Sequence, residues 1–426
     1  MTPTLVVQRE EQRPADEPRT VSAVVTGIGV TAPNGLGTEE WWQATLAGQH
    51  GIRPIEGYDT SAYPTRLAGT VTGFDAAALL PGRLLPQTDR STRLALVATE
   101  WALADAGVDP GELPEYGMGV VTSNAGGGFE FTHREIRKLW TEGPEHVSVY
   151  ESFAWFYAVN SGQISIRHGM RGASGVLVAD QAGGLDALGH ARRTLRRGNT
   201  LVVTGGVESS LDPWGLSAHI AGGRLSSVPD PERAYQPFDI GASGHLPGEG
   251  GAILVVEDAA AAQARRVRRC YGEIAGYAAT LDPAPGSGRP LGLERAIRLA
   301  LADAGVAPEE VDAVFADAAG VPALDRAEAR ALEAVFGPYG VPVSAPKTMT
   351  GRLAAGGPAL DVAAALLSVR DGMLPPAVHV PSPDPAYRID LVRGEPRDLR
   401  VRTALVVARG HGGFNSAVVV REPKAP

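Results

Sequence analysis

Residues 172–195 read GASGVLVADQAGGLDALGHARRTL, and this stretch decides the fold class. Val176 to Val178 predict a buried strand, Ala182-Gly183-Gly184 a turn, and Leu185, Leu188, Ala191 and Leu195 the apolar stripe of a helix. A strand, tight turn and helix in that order hold Gln181 at the strand's end beside a helix N-terminus, where α/β enzymes keep a nucleophile. The glycines relieve crowding, and the helix start supplies free N–H groups. Serine or cysteine at this point would indicate acyl chemistry. Glutamine can only donate and accept hydrogen bonds at neutral pH, so the plain alternative is a polar residue at a helix cap.

The same strand-and-helix alternation extends in both directions. A strand at Val24 to Val30 leads through Thr31-Ala32-Pro33-Asn34-Gly35 to a helix near residues 38–47, with Trp41, Trp42 and Leu46 facing inward. Gly27-Ile28-Gly29 imitates a dinucleotide fingerprint, but the following Pro33-Asn34-Gly35 interrupts the required glycine turn. Ala102-Leu103-Ala104-Asp105-Ala106-Gly107-Val108 recurs as Ala300-Leu301-Ala302-Asp303-Ala304-Gly305-Val306, each copy lying between a predicted helix and a predicted strand. The repeat predicts an internally duplicated α/β fold with a layered α-β-α-β-α arrangement. Its halves are expected over residues 21–265 and 271–421. Apolar runs such as Ile253 to Val256 and Leu405 to Ala408 have little alternation, so both faces of each sheet should be covered by helices.

Composition narrows the function. The 426 residues carry a formal charge of -9 without a compensating basic stripe, which disfavours nucleic acid. One cysteine, Cys270, cannot form an internal disulfide and has no ligand spacing around it, so a cytoplasmic location and no metal are expected. No apolar run reaches membrane-spanning length, and residues 1–20 are expected to be a disordered tail. The histidines form no compact ligand or catalytic pattern, and there is no GxSxG elbow. Ser344 and Lys347 have SxxK spacing but lack the other elements of that serine chemistry. Glu249 reads as a buried carboxylate bonded to loop N–H groups. The aromatic-rich stretch from Asn124 to Ser174 is too long for a plain connector and is expected to line a cavity or a partner surface.

Four motifs carry a resemblance: Ala125-Gly126-Gly127-Gly128-Phe129-Glu130-Phe131, Val149-Tyr150-Glu151-Ser152-Phe153-Ala154-Trp155-Phe156, Ala179-Asp180-Gln181-Ala182-Gly183-Gly184, and Val314-Phe315-Ala316-Asp317. Together they resemble the thiolase-superfamily condensing enzymes, and more narrowly the chain-length factors, or ketosynthase beta subunits, of type II polyketide synthases. In active relatives the position of Gln181 holds the acyl-bearing cysteine. The resemblance implies that the two catalytic histidines are replaced by Asp317 (or the adjacent Ala318) and by Arg352, that Lys347 is retained, and that His411 stands in place of a phenylalanine. It also implies a gate on the helix after the AGGGFEF segment, carried here by Phe129, Thr132 and Ile136 with Gly215 nearby. Ile136, smaller than the phenylalanine of shorter-chain relatives, implies room for more than an octaketide.

The implied function is a subunit without condensing power, since an amide cannot form the thioester that carbon-carbon condensation requires. Its implied partners are a ketosynthase alpha subunit, forming a heterodimer, and an acyl carrier protein whose phosphopantetheine serves the complex; no cofactor is expected on this chain. Gln181 could assist malonyl decarboxylation or simply fill the old cysteine site. Arg352 could stabilise negative charge or form an inert ion pair with Asp317. The competing functions are an independent malonyl-carrier decarboxylase or acyltransferase, and a purely scaffolding pseudoenzyme.

Overall fold

The two halves of one continuous sheet share a buried layer of helices in this computed structural model, which describes residues 21–284 and 286–423. The tail expected at residues 1–20 lies outside the described residues. In the first half the strands are β1 (Ala23–Ala32), β2 (Met118–Ser123), β3 (Ser174–Leu177), β4 (Leu201–Glu208) and β5 (Gly250–Asp258). Its helices include α1 (Thr38–Leu46), α2 (Arg90–Ala106), α3 (Phe129–Thr141), α4 (Glu151–Ala154), α5 (Val159–His168), α6 (Gln181–Arg196) and α7 (Pro213–Ala221). The second half supplies β6 (Gly272–Leu281), β7 (Ala313–Phe315), β8 (Pro342–Ser344), β9 (Asp390–Leu391), β10 (Thr403–Arg409) and β11 (Phe414–Arg421). Its helices are α8 (Leu293–Ala304), α9 (Pro322–Phe336) and α10 (Gly356–Asp371).

The strand order β9-β8-β7-β10-β11-β6-β1-β5-β4-β2-β3 makes the duplication visible, because, once the extra edge strand β9 of the second half is set aside, each half reads third, second, fourth, fifth, first from its outer edge. The pairing agrees as well: β2 is parallel to β3 and β4 as β7 is to β8 and β10, and apart from the extra strand β9, which is parallel to β8, the remaining pairs in each half are antiparallel. The halves join where β1 meets β6 at Val24 opposite Glu273 and Val25 opposite Gly272. α6 and α10 each pack against strands of both halves, while α2 and α8 cover the outer faces. The three largest apolar cores lie one between the halves and one beneath each outer layer.

The sequence repeat is a repeated contact. A Cβ on Gly27 would lie 2.1 Å from the Ala102 carbonyl oxygen and 2.8 Å from the Ala106 methyl; on Gly276 the distances are 2.2 Å to Ala300 O and 2.7 Å to the Ala304 methyl. Beside each glycine, the next N–H donates to the repeat's aspartate at 2.9 Å, Ile28 to Asp105 and Tyr277 to Asp303. Gly107 and Gly305 end their helices in the left-handed conformation, with φ of 61° and 64°. The Gly27-Ile28-Gly29 segment therefore serves close strand–helix packing.

Two expected elements are different. The strand expected to be buried at Val176 to Val178 is the half-exposed edge strand β3, which ends at Leu177 and leaves Val178 47% exposed. Ala182-Gly183-Gly184 is the first turn of α6, not a separate turn before it. Gly183 and Gly184 are needed because a Cβ would sit 2.3 Å from Ser123 Oγ and 2.4 Å from Ala355 O. The change of direction occurs one residue before Gln181, at Asp180, which has φ 51° and ψ -131°. A non-glycine residue in that conformation is strained and is held there only by its surroundings. The Asn124–Ser174 stretch folds mainly into α3, α4 and α5. It leaves Leu139, Trp140, Val149, Trp155 and Ile166 exposed.

Candidate functional site

Gln181 opens α6 and is only 5% exposed. In the amide orientation that satisfies both of its polar atoms, Nε2 donates to Ala354 O at 3.1 Å and Oε1 accepts from Ala354 N at 3.0 Å. Ala354 has φ 44° and precedes α10, so the glutamine fastens a strained backbone at the start of the equivalent helix in the second half. Asp180 is fastened from another side, its carboxylate accepting the His411 N–H at 2.8 Å. His411 lies in the link between β10 and β11, where Gly412 and Gly413 take φ of 87° and 95°.

A cavity of about 470 Å³ opens beside these groups, walled by Gln181, Asp317, Arg352, Arg409, His219 and His245 among others. Asp317 and Arg352 form a buried ion pair, Arg352 Nη2 lying 2.9 Å from Asp317 Oδ1 while Nη1 donates to Asp317 O at 2.6 Å. Burial opposes the charge on each. The guanidinium overcomes it for Asp317, with help from Lys347, and holds that carboxyl below its ordinary value; Asp317 and Tyr235 raise Arg352. Behind the pair, Glu328 accepts the Asp317 and Ala318 N–H groups at 2.7 and 2.9 Å. Burial, aided by the Asp317 charge, pushes Glu328 up to about 8. Lys347 is buried outside this cavity, 2.7 Å from Asp361, and donates to Ala316 O. Ser344 donates instead to Pro375 O at 2.7 Å, so the SxxK spacing makes no dyad.

Sequence patterning gave no histidine pair, yet the fold brings His219 and His245 to this cavity. Neither spacing nor period could reveal it, because one residue sits on α7 and the other in the loop before β5. His245 Nδ1 lies 3.2 Å from Ala319 O and therefore carries the proton toward that carbonyl, leaving Nε2 as an acceptor in the neutral ring. Burial and the Arg352 charge lower His245 to about 3, which keeps it neutral. His219 is also lowered by burial, and its Nε2 is 2.8 Å from Ser210 Oγ. A neutral acceptor at His245 gives no hydrogen bond to a developing enolate.

The residues assigned to the gate lie on another face. Phe129 begins α3 and packs on Trp214, the ring centres 5.2 Å apart. Trp214, at the start of α7, was not among the expected residues although its neighbour Gly215 was. Gly215 itself closes a tight packing contact, since a Cβ would meet Ser210 O at 2.4 Å. Thr132 is buried, whereas Ile136 is 37% exposed. The glycines before α3 also have packing duties: Cβ atoms on Gly127 and Gly128 would lie 2.2 Å from Trp155 O and 2.0 Å from Ala154 O. Two buried carboxylates hold the helix start, Glu208 accepting the Ala125 N–H and Asp89 the Phe131 N–H at 2.9 Å. Burial pushes Glu208 up to about 8 against the effect of the Ala125 and Gly126 N–H groups. Glu249 accepts the Val71 N–H at 3.0 Å, but Arg90 is its main partner, at 2.7 Å.

Comparison with known proteins agrees with this geometry. The beta-ketoacyl synthase N-terminal domain matches residues 22–262 and the C-terminal domain residues 271–381. The tetracenomycin polyketide synthase ketoacyl synthase beta subunit of Streptomyces glaucescens is 65% identical over 93% of this chain and 98% of its own. A solved ishigamide ketosynthase/chain length factor superposes with a TM-score of 0.87 at 27% identity, covering 95% of this chain and 99% of that one. A type II polyketide synthase acyl-carrier protein in complex with its ketosynthase bound to the hexaketide gives a TM-score of 0.84 at 25% identity, covering 95% and 100%. The chain belongs to the beta-ketoacyl synthase family and is of its chain-length-factor-like, type II polyketide synthase kind, with the thiolase-superfamily fold.

Proposed function

We propose that this chain is the non-condensing, chain-length-determining subunit of a type II polyketide synthase. Its ketosynthase partner supplies the thiolate that holds the growing poly-β-ketone, and an acyl carrier protein presents malonyl units on phosphopantetheine. The carrying observation is the state of the site at α6: Gln181 cannot bear an acyl group and is bonded at both amide atoms to Ala354. The buried Asp317–Arg352 pair supports the same reading, because each group already satisfies the other. The packing role for Gln181 is favoured over decarboxylation by the acceptor-only Nε2 of His245.

What the subunit contributes is shape. A side chain that closes the space available to the tethered chain penalises the next two-carbon addition, and a few kcal/mol of strain changes product ratios greatly. Exposed apolar residues on and near α3, including Ile136, Leu139 and Trp140, support a partner-covered face there. The test uses the complex with its ketosynthase and carrier protein. Ile136→Phe is expected to shorten the product and Ile136→Ala to keep or lengthen it, read by mass spectrometry. Unchanged chain length in both variants would overturn the gate. Covalent acylation and elongation on the isolated chain would overturn the non-condensing role.

A further inference from the structure

α3 and the start of α7 meet along one seam. Phe129 packs on Trp214, and one turn further along α3 the His133 Nδ1 lies 3.0 Å from Asp212 Oδ2. Asp212 also caps α7, its Oδ2 accepting the Trp214 N–H at 3.0 Å and its Oδ1 the Gly215 N–H at 3.3 Å. A single carboxylate, its side chain 6% exposed, therefore both fixes the start of α7 and fastens it to α3.

The seam divides two faces of α3. Helical spacing puts Phe129, Thr132 and Ile136 together on the face assigned to the gate, and Glu130, His133, Arg134 and Arg137 on the next. The second set lines a cavity of about 490 Å³ whose other walls include Ile55, Leu211, Asp212 and Pro213; none of the three gate residues lines it. A space of that size falls in the range that holds small organic molecules. Its walls suit a poly-β-ketone. Ile55, Leu211 and Pro213 offer apolar surface to the carbon skeleton, and Arg137, which makes no ion pair among the described residues, has N–H donors for ketone oxygens.

We propose that the His133–Asp212 contact is a latch between the gate and this side chamber, which makes His133 a specificity-determining residue. Closed, it keeps the poly-β-ketone on the gate face; open, it admits the far end of a longer chain to the chamber. This inference rests on the chain-length reading above and adds to it a second, polar barrier behind the gate.

The experiment uses the complex with its ketosynthase and carrier protein, and reads by mass spectrometry the ratio of longer product to the product of the unsubstituted complex. His133→Ala removes the contact and is expected to raise that ratio roughly three- to tenfold, the equilibrium effect of one hydrogen bond. Where the alanine variant assembles poorly, His133→Leu, which keeps bulk and loses only the bond, should give the same direction of change. His133→Gln retains a donor for Asp212 and is expected to hold the ratio within about twofold of the parent. Adding Arg137→Trp to His133→Ala fills the chamber and removes its donors, so the longer product should fall back. An unchanged ratio in both His133→Ala and His133→Leu, with Ile136→Phe still shortening the product, would overturn the latch and leave the chain-length reading standing. Longer product that persists with Arg137→Trp added would overturn the chamber. No change from any His133 or Ile136 substitution would overturn the latch and the gate together.

Discussion

Replacing Arg352 with methionine tests whether the buried Asp317–Arg352 pair is structural. Asp317 is 2% exposed and Arg352 7%, and the pair is 2.9 Å apart. Methionine removes the guanidinium and leaves the Asp317 carboxylate with the Arg409 N–H at 2.9 Å and the charge of Lys347, which is itself paired with Asp361. Breaking one side of a buried pair costs about 3–5 kcal/mol, mostly the penalty of the stranded charge. Asp317→Leu with Arg352→Met removes both charges and is expected to recover about half of that loss. Urea unfolding of the parent, both single variants and the double variant gives the cycle, read from transition midpoints because the two halves can unfold separately. The pH dependence has a definite sign. In the parent the folded Asp317 pKa lies below the ordinary value of 3.8, so the pair's contribution is present above that value and lost as pH falls through the folded one. In Arg352→Met burial raises the carboxyl instead, so the deficit relative to the parent should shrink on acidification toward pH 4. A loss below about 1 kcal/mol for Arg352→Met, or a double variant costing the sum of the singles, would refute the argument.

Two further substitutions test neighbouring parts of the site. Gln181→Ala removes both bonds to Ala354, so thermal unfolding should show a loss of about 1–3 kcal/mol while the complex keeps its polyketide output; lost output at unchanged stability would refute the packing role. Glu208 ionises near 4.5 when unfolded but at about 8 when folded, so the folded chain binds the extra proton between these values and stability falls as pH rises through that window. Glu208→Gln should remove up to about 1.4 kcal/mol per pH unit of that slope, measured by denaturation at pH 5, 6.5 and 8. An unchanged slope would place the titration elsewhere.

Local pattern and repetition made much of the fold legible. The stripe Leu185, Leu188, Ala191 and Leu195 gave α6, and the alanine-rich repeat gave α2, α8 and their glycine ends. The glycine turn was misplaced because Gly183 and Gly184 answer to Ser123 and Ala355, partners that only the folded chain brings near. Their need for space was readable; its cause was not. The resemblance had singled out Gln181, Asp317 and Arg352, and the fold brings all three to the wall of one cavity. The bond from Gln181 to Ala354 depends on the meeting of two helix starts that are far apart in sequence. His219 and His245 escaped for the same reason, and Trp214 because one exposed aromatic carries no period.

The duplication explains how a chain with glutamine at the start of α6 keeps its fold. α6 and α10 occupy equivalent places in the two halves and start side by side at the centre of the molecule. Helix starts leave N–H groups without intrahelical partners, and a reactive site keeps some free for substrate at a cost in stability. Here the central groups are bonded to one another: Gln181 spans to Ala354, Asp180 takes the His411 N–H, and Asp317 takes Arg352. Yet about 470 Å³ remains beside them, because Gln181 is directed at backbone and not across the space. Chemistry and volume have separated in this chain. Restoring only a thiol, by Gln181→Cys, would therefore not restore condensation: it would break the Ala354 bonds while Arg352 stayed committed to Asp317 and His245 Nε2 still lacked a proton to give.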